Sequence, residues 1–347
     1  MSYSTKTLVP SLYPDWRKVL ESSDEAGLSH EIETMEYLTH TLQAKNISLI
    51  LYNSNHEPIG ICPLYLYTTK TFSGRKRCVI DSVGPSGSGP ALIRELGDEA
   101  RRKILQYLAV AFRELVLHHR CVVIQTSVEI LSKRYTEIEI PFVNPLLEMR
   151  GFTDVSSPYY YLDLRRSEEE LFHNLEKRLK GTLKKFERQW GDVTSISPAT
   201  QADFEEVWRL HAEVGENPAM PKQQFTRFWA LACSRFFVAR IKGELAGVFS
   251  AGVYRNTGVF WLLNIAERHR ESGIGAALVW NAFLSLKASG VEHFSLGIDQ
   301  FWESGSKKDR IARFKRSFGG QLRYLFVVRY RPEGRAMKLA RALITGE

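Results

Sequence analysis

Apolar and polar positions alternate along the chain in two successive series of strand and helix patterns. ISLILY (47–52) and IGICPLYLY (59–67) are rich in β-branched and aromatic residues, and the polar NSNHEP between them predicts a β-hairpin. RCVIDSV (77–83) predicts a third strand, followed by the Gly-rich loop GPSGSGP (84–90). CVVIQTSV (121–128) and YYYLDL (159–164) predict two more strands. Residues 14–44 predict one or two polar helices. Over 95–119, Ile104, Leu108, Ala111 and Leu115 recur on one face of a further helix.

Ser167-Glu168-Glu169-Glu170 predicts a capped helix start, with the Ser167 oxygen on first-turn amides and Glu170 reaching back. The stripe Leu171, Leu175, Leu179, Leu183 carries that helix to Gly191, and Gly181 marks a bend or a close contact within it. The second series begins at Thr194 with a strand and a helix capped near Thr200. A helix over 222–234, a hairpin over 235–255 turning at Lys242-Gly243-Glu244, and a strand over 258–267 follow. The order then runs through a helix from Gly273 to Ala288, a strand over 293–298, a basic helix over 307–317 and a strand over 322–330. Glu57-Pro58-Ile59-Gly60 and Glu244-Leu245-Ala246-Gly247 hold the same place in the two hairpins, which points to a duplicated domain.

Composition narrows the class. The 347 residues are 44% hydrophobic and 25% charged, which excludes a disordered or fibrous chain. No apolar run approaches the ~18–20 residues of a membrane span. The opening MSYSTKTLVPSLYPDW shows no basic-then-apolar secretory pattern. The expectation is a cytoplasmic protein with no stable membrane insertion. Cys62, Cys78, Cys121 and Cys233 are far apart and form no CxxC pair, so neither a structural metal site nor a disulfide framework is expected.

Charge changes the picture further. The net +8 is concentrated in KRLKGTLKKFER (177–188), at +5, and in residues 305–331, at +8, which leaves the rest at −5. Clustered this way, the charge points to an anionic partner: a phosphorylated cofactor, a nucleic acid such as tRNA, or an anionic lipid surface touched peripherally. The tail RPEGRAMKLARALITGE sets basic residues beside an apolar face, as a lipid contact would require.

The strongest chemical motif is Arg270-Glu271-Ser272-Gly273-Ile274-Gly275, set between a strand and a helix. Glycines let the backbone approach a ligand, and the first turn of a helix presents unpaired N–H groups at its positive end. Together they form a diphosphate site, with Arg270 adding charge. The third glycine of the dinucleotide fingerprint is missing and no Gly-Lys-Ser/Thr follows, so this is neither that motif nor a P-loop.

In its strand–loop–helix setting, Arg-x-x-Gly-x-Gly resembles the GNAT acyltransferases, whose loop holds the pyrophosphate of acetyl-CoA. Over roughly residues 15–331 the chain resembles a narrower group, the double-GNAT FemAB-like and BioF2-like acyltransferases. The marks are YYYLDL, Ser167 with the basic helix LEKRLKGTLKKFER, Leu210-His211, and Ile311-Ala312-Arg313-Phe314-Lys315-Arg316-Ser317-Phe318-Gly319-Gly320. The resemblance implies an α/β (α+β) fold of two tandem GNAT-like domains, each a mixed, mostly antiparallel sheet flanked by helices. The expected boundaries are 1–165 for the first domain, 166–192 for a basic linking helix, 193–331 for the second domain with the phosphate loop, and 332–347 for a helical tail.

It also implies an N-acyltransferase moving an acyl group from acetyl-CoA or another acyl-CoA to an amine of a sugar, peptide or cell-envelope precursor. The alternative is a FemAB-like aminoacyltransferase that uses aminoacyl-tRNA in peptidoglycan bridge formation. Amine attack on a thioester needs proton removal, a donor to the developing oxyanion and alignment of both reactants. Glu267, His269 and Asp299 are the candidate bases and Tyr324 the candidate acid. Glu267 also has a plainer role, pairing with Arg268 or Arg270. The expected cofactor contacts are Ile265, Ala266, Arg270, Gly273, Ile274, Gly275, Ala276 and Lys315. His211 reads as a satisfied interior histidine, and Trp261 as core.

Overall fold

A computed structural model describes residues 3–70, 74–82, 87–138, 141–214, 220–298 and 305–332. The chain divides into two compact units that are interleaved in sequence. Unit 1 holds residues 1–30, 38–156 and 326–347; unit 2 holds 31–37 and 157–325.

Unit 1 contains two sheets. One has four strands in the order Ser4–Thr7, Leu49–Tyr52, Pro58–Cys62, Ala91–Leu92. The other has six, in the order Lys45–Asn46, Tyr65–Lys70, Lys76–Asp81, Val123–Ser127, Val327–Tyr330, Thr153–Asp154. Lys76–Asp81 and Val123–Ser127 are parallel and are joined by the crossover helix Asp98–His118. At the heart of the unit the buried Glu25 carboxylate receives the Arg101 guanidinium and, at 2.9 Å, the Leu92 amide. Two donors on one carboxylate are what makes a buried charge tolerable.

Unit 2 is built on one seven-stranded sheet. Its order is Thr194–Pro198, Ser234–Ile241, Glu244–Tyr254, Thr257–Ile265, His293–Ile298, Ser157–Asp163, Gln321–Leu325. Every pairing is antiparallel except Thr257–Ile265 with His293–Ile298. One face packs the helices Ile274–Ala288 and Lys177–Trp190 around Phe249, Phe283, Phe294 and Phe318. The other packs Phe204–Val214 and Lys222–Ala230 around Phe225, Phe228 and Phe236.

The predicted boundaries need correction at three places. Ser157–Asp163, assigned to the first domain, is a strand of unit 2, paired on both edges there. The strand expected over 322–330 is two strands: Leu325 pairs with Ser157 in unit 2, whereas Val327 pairs with Ser127 in unit 1. The uniform run LRYLFVVRY holds no turn residue, so only the change of neighbours marks the switch. The helix of 166–192 is not a separate linker but part of the unit 2 core, and it breaks in two. Glu168–Asn174 carries the capping box predicted at Ser167, and Lys177–Trp190 follows. The break falls at Leu175-Glu176, where the Glu176 amide donates to Ser317 O at 2.9 Å, and not at Gly181, which sits mid-helix with open space around it. The tail predicted over 332–347 lies, from 333 onward, outside the described residues.

Ending the chain after Leu325 removes a strand flanked on both sides in unit 1 while leaving the unit 2 sheet complete. Hydrogen exchange of the truncated protein is expected to show protection lost in Val123–Ser127 and retained in Glu244–Tyr254.

Candidate active site

The site is organised by a strand pair that opens. Thr257–Ile265 and His293–Ile298 pair only at residues 257–259 with 293–295. Beyond that the first strand stays on Glu244–Tyr254 to Ile265 and the second stays on Ser157–Asp163 to Ile298, so a gap opens within the sheet. A bulge accompanies the opening: Ser250 pairs with Leu262 and Ala251 with Phe260, which leaves Trp261 as the extra residue. Trp261 and Leu262 consequently pack together on the Phe225/Phe228 side, while Phe260, Leu263 and Ile265 face the Phe249/Phe283 side.

The Ala266 amide donates to Ala246 O at 2.9 Å. By the alternation of an antiparallel ladder, Asn264 and Leu262 face the same neighbour, and the Leu263 and Ile265 amides point into the gap. The Ile265 amide, that of a predicted cofactor contact, therefore faces the gap. The Ala266 amide does not, because it is already engaged.

At the end of this strand the chain makes a short helical turn over Glu267–His269, reaches Gly273 at φ +89°, and starts the helix Ile274–Ala288. That left-handed conformation suits glycine. A side chain at Gly273 would also press on Thr182 Cγ2 at 3.0 Å, and one at Gly275 on Ile265 Cγ1 at 3.3 Å. Of the first-turn amides, Ile274 donates to Ser272 Oγ at 3.2 Å and Ala276 to Gly273 O at 3.1 Å. Among the described residues the Gly273 and Gly275 amides have no partner. The free donors are therefore the two glycines, and Ile274 and Ala276 are spent on the turn itself. Thr182 belongs to the basic helix Lys177–Trp190, and exposed Arg178 and Lys185, each within a turn of it, bring positive charge beside the nest.

The other predicted residues separate. Glu267 is 75% exposed and forms a 2.7 Å ion pair with Arg270, the plainer of its two readings. His269 accepts from Arg268 Nε at 3.2 Å, and partial burial with the neighbouring Arg268 charge lowers its pKa. Tyr324 is 56% exposed on the last strand of the sheet, three strands from Thr257–Ile265, or ~14 Å at the usual spacing. Asp299 lies outside the described residues.

Lys315 is not at the phosphate nest. Its Nζ stands 4.5 Å from the Phe260 ring centroid, and a side chain at Gly297 would meet it at 2.9 Å. Phe260 is five residues up the strand from Ile265, ~17 Å of extended chain, so Lys315 sits where the two strands begin to part. Burial pushes its pKa down to about 8.

Sequence reading passed over one pair. Buried His211 holds its Nδ1 2.9 Å from Asn264 Nδ2 on the splayed strand, while its Nε2 is buried with no partner. The ring stacks on Phe225 at 4.8 Å, and desolvation lowers its pKa, which favours the neutral imidazole. His211 is therefore only half satisfied. Leu210-His211 had stood out as a family mark, but the Asn264 partner lies 53 positions away and no local pattern links them.

Residues 173–316 match the acetyltransferase (GNAT) domain family. No curated protein matches the sequence. Among solved structures, a FemX aligns over 98% of this chain and 99% of its own at 10% identity, with a TM-score of 0.68. A tandem GNAT protein from the clavulanic acid biosynthesis pathway aligns over 96% and 100% at 12% identity, with a TM-score of 0.56. L-PGS from Bacillus licheniformis aligns over 98% of each chain at 11% identity, with a TM-score of 0.55. Residues 173–316 therefore read as a GNAT-type domain, and the chain shares its fold with these solved structures. Its architecture, two compact units built on sheets and helices, is shared with FemX and the tandem GNAT protein.

Lys315 is expected to titrate near pH 8, well below an ordinary lysine. NMR of isotope-labelled lysine side chains should show one resonance with that midpoint, absent in Lys315→Met.

Proposed function

We propose that the protein is an N-acyltransferase that takes its acyl group from acyl-CoA, acetyl-CoA being the simplest donor, and passes it to an amine of a sugar, peptide or cell-envelope precursor. The observation that carries this reading is the pair of unengaged amides at Gly273 and Gly275, at the positive end of a 15-residue helix and at the foot of the opened strand pair. Those amides, with Arg178 and Lys185 nearby, fit a diphosphate. The gap between the strands fits a narrow extended arm, whose amides would pair with the backbone exposed there.

The roles follow from placement. The thioester supplies an activated carbonyl. The Leu263 amide, which points into the gap beside Asn264, donates to the carbonyl oxygen as charge develops there. His211 accepts the proton of the attacking amine. With the Asn264 amide turned over so that its oxygen accepts the hydrogen bond from Nδ1–H, Nε2 presents its lone pair. The gap runs through the sheet itself, so groups from both faces reach it.

One observation favours a second donor. Lys177, Arg178, Lys184, Lys185 and Arg188 are all exposed on one helix, as an aminoacyl-tRNA would require, and the fold is shared with FemX. tRNA binding would weaken steeply with salt through counterion release, whereas coenzyme A held mainly by backbone amides would respond far less. Among the described residues no helix is long and apolar enough to cross a membrane.

Two measurements test the reading. Calorimetry is expected to show coenzyme A binding that falls at least ~10-fold in Gly275→Glu, with thermal unfolding of the variant followed as a control on its fold. Unchanged binding in a folded variant removes the nest from the site. His211→Gln should keep coenzyme A affinity while slowing single-turnover acyl transfer by ~10²–10⁴, the usual range for losing a general base. A variant within a few-fold of the parent would show that the proton goes elsewhere.

A further inference from the structure

The four cysteines look unrelated in sequence, yet the fold of unit 1 brings two of them together. Cys78 Sγ on Lys76–Asp81 lies 2.9 Å from Cys121 Sγ, just before Val123–Ser127. Both are free thiols. The separation is within about 0.9 Å of the ~2.05 Å disulfide bond. Both backbones are fixed: Val122 N donates to Cys78 O at 3.0 Å, and Cys121 N to Val116 O at 2.9 Å. The two thiols are held face to face by a sheet ladder and a helix end, not by a mobile loop.

Their surroundings differ in a useful way. Cys78 is partly exposed, whereas Cys121 is buried. Cys62 and Cys233 have other neighbours, the Pro63 carbonyl and the Thr34 hydroxyl, both at 3.9 Å. They serve as internal controls.

We infer that Cys78 and Cys121 are a thiol pair that reacts with a low-molecular-weight disulfide of the glutathione type to form an intramolecular cross-link. The Cys78 thiolate attacks R–S–S–R, giving a mixed disulfide and releasing one R–SH. The Cys121 thiolate then attacks the Cys78 sulfur and releases the second R–SH. Two protein thiols are oxidised to one disulfide and the reagent is reduced to two thiols, so electrons and protons balance. Burial and the adjacent Cys78 push the Cys121 thiol up to about 12, so it is the resolving and not the attacking thiol, and it gives up its proton as it attacks the mixed disulfide.

The cross-link closes the parallel crossover. Between these paired strands, Lys76–Asp81 and Val123–Ser127, the chain runs through the Gly-rich segment, the strand Ala91–Leu92 and the helix Asp98–His118. At the far end of the same two strands Ser82 Oγ donates to Thr126 Oγ1 at 3.1 Å, and Ser127 Oγ donates to Ser88 O at 3.1 Å. The disulfide therefore adds a covalent tie at the open end of a pair already tied at the other. A closed loop of this size restricts the unfolded chain strongly.

The test uses the full chain with oxidised glutathione as the probe. The intact mass should fall by two hydrogens, thiols titrated in denaturant should drop from four to two, and Tm should rise by roughly 5–10 °C. Peptide mapping should place the bond at Cys78–Cys121. Cys62→Ser and Cys233→Ser should behave like the parent, while Cys78→Ser should lose both the mass change and the Tm rise. Cys121→Ala should trap a glutathione adduct on Cys78. The inference is overturned if the parent keeps four thiols, if it stops at a stable adduct, or if the bond forms at other cysteines.

Discussion

The structure of unit 2 depends on two neighbouring strands that refuse to remain paired. Thr257–Ile265 and His293–Ile298 share three residue pairs and then part. Each unpaired backbone group left inside a protein costs ~1–3 kcal/mol, so an opened ladder is held open by something stronger. Here that is packing on both faces. Leu263 and Ile265 are drawn into one core, Leu262 and Ala266 into the other, and the bulge at Trp261 reconciles the two registers. The Phe260 ring and the Lys315 ammonium stand at the point of separation like a wedge. The strand pair could close only by dismantling two cores.

From that opening the rest of the site follows in order. The strand that leaves its partner runs directly into the turn at Gly273, so the helix that starts there points its free amides back toward the foot of the gap. Close packing of Gly273 on Thr182 and of Gly275 on Ile265 sets the helix end against its neighbours with no side chain in between. Asn264, on the same strand, draws His211 toward the gap from the other face. One strand thus aligns the two free amides of a helix start, a pair of backbone amides, an imidazole and, at its upper end, an ammonium.

Much of this was legible locally and some of it was not. The capping box at Ser167, the hairpin turn at Lys242-Gly243 with both residues at positive φ, and the helix opening at Gly273 are written in a few adjacent residues each. Features that rest on distant partners were invisible. The helix break at Glu176 is made by Ser317, the strand switch at Phe326 by Ser157 and Ser127, and the role of His211 by Asn264. Proximity in sequence also misled. Glu267 and His269 lie nearest the motif, and they meet Arg270 and Arg268, their neighbours in sequence. Lys315, an expected cofactor contact, stands instead at the apex, a placement that only the tertiary fold reveals.

The return of the last strand to the first unit carries a consequence for biosynthesis. Arg329 bonds Gln125 across 204 positions, and its strand lies between Val123–Ser127 and Thr153–Asp154. A ribosome therefore delivers every other strand of the first unit long before the one that completes its larger sheet. Through that interval Val123–Ser127 presents a bare edge, the feature nascent chains most need shielded from one another. The domain begun first is finished last, and chaperone demand should fall on the amino-terminal half while the carboxyl-terminal half is still being made.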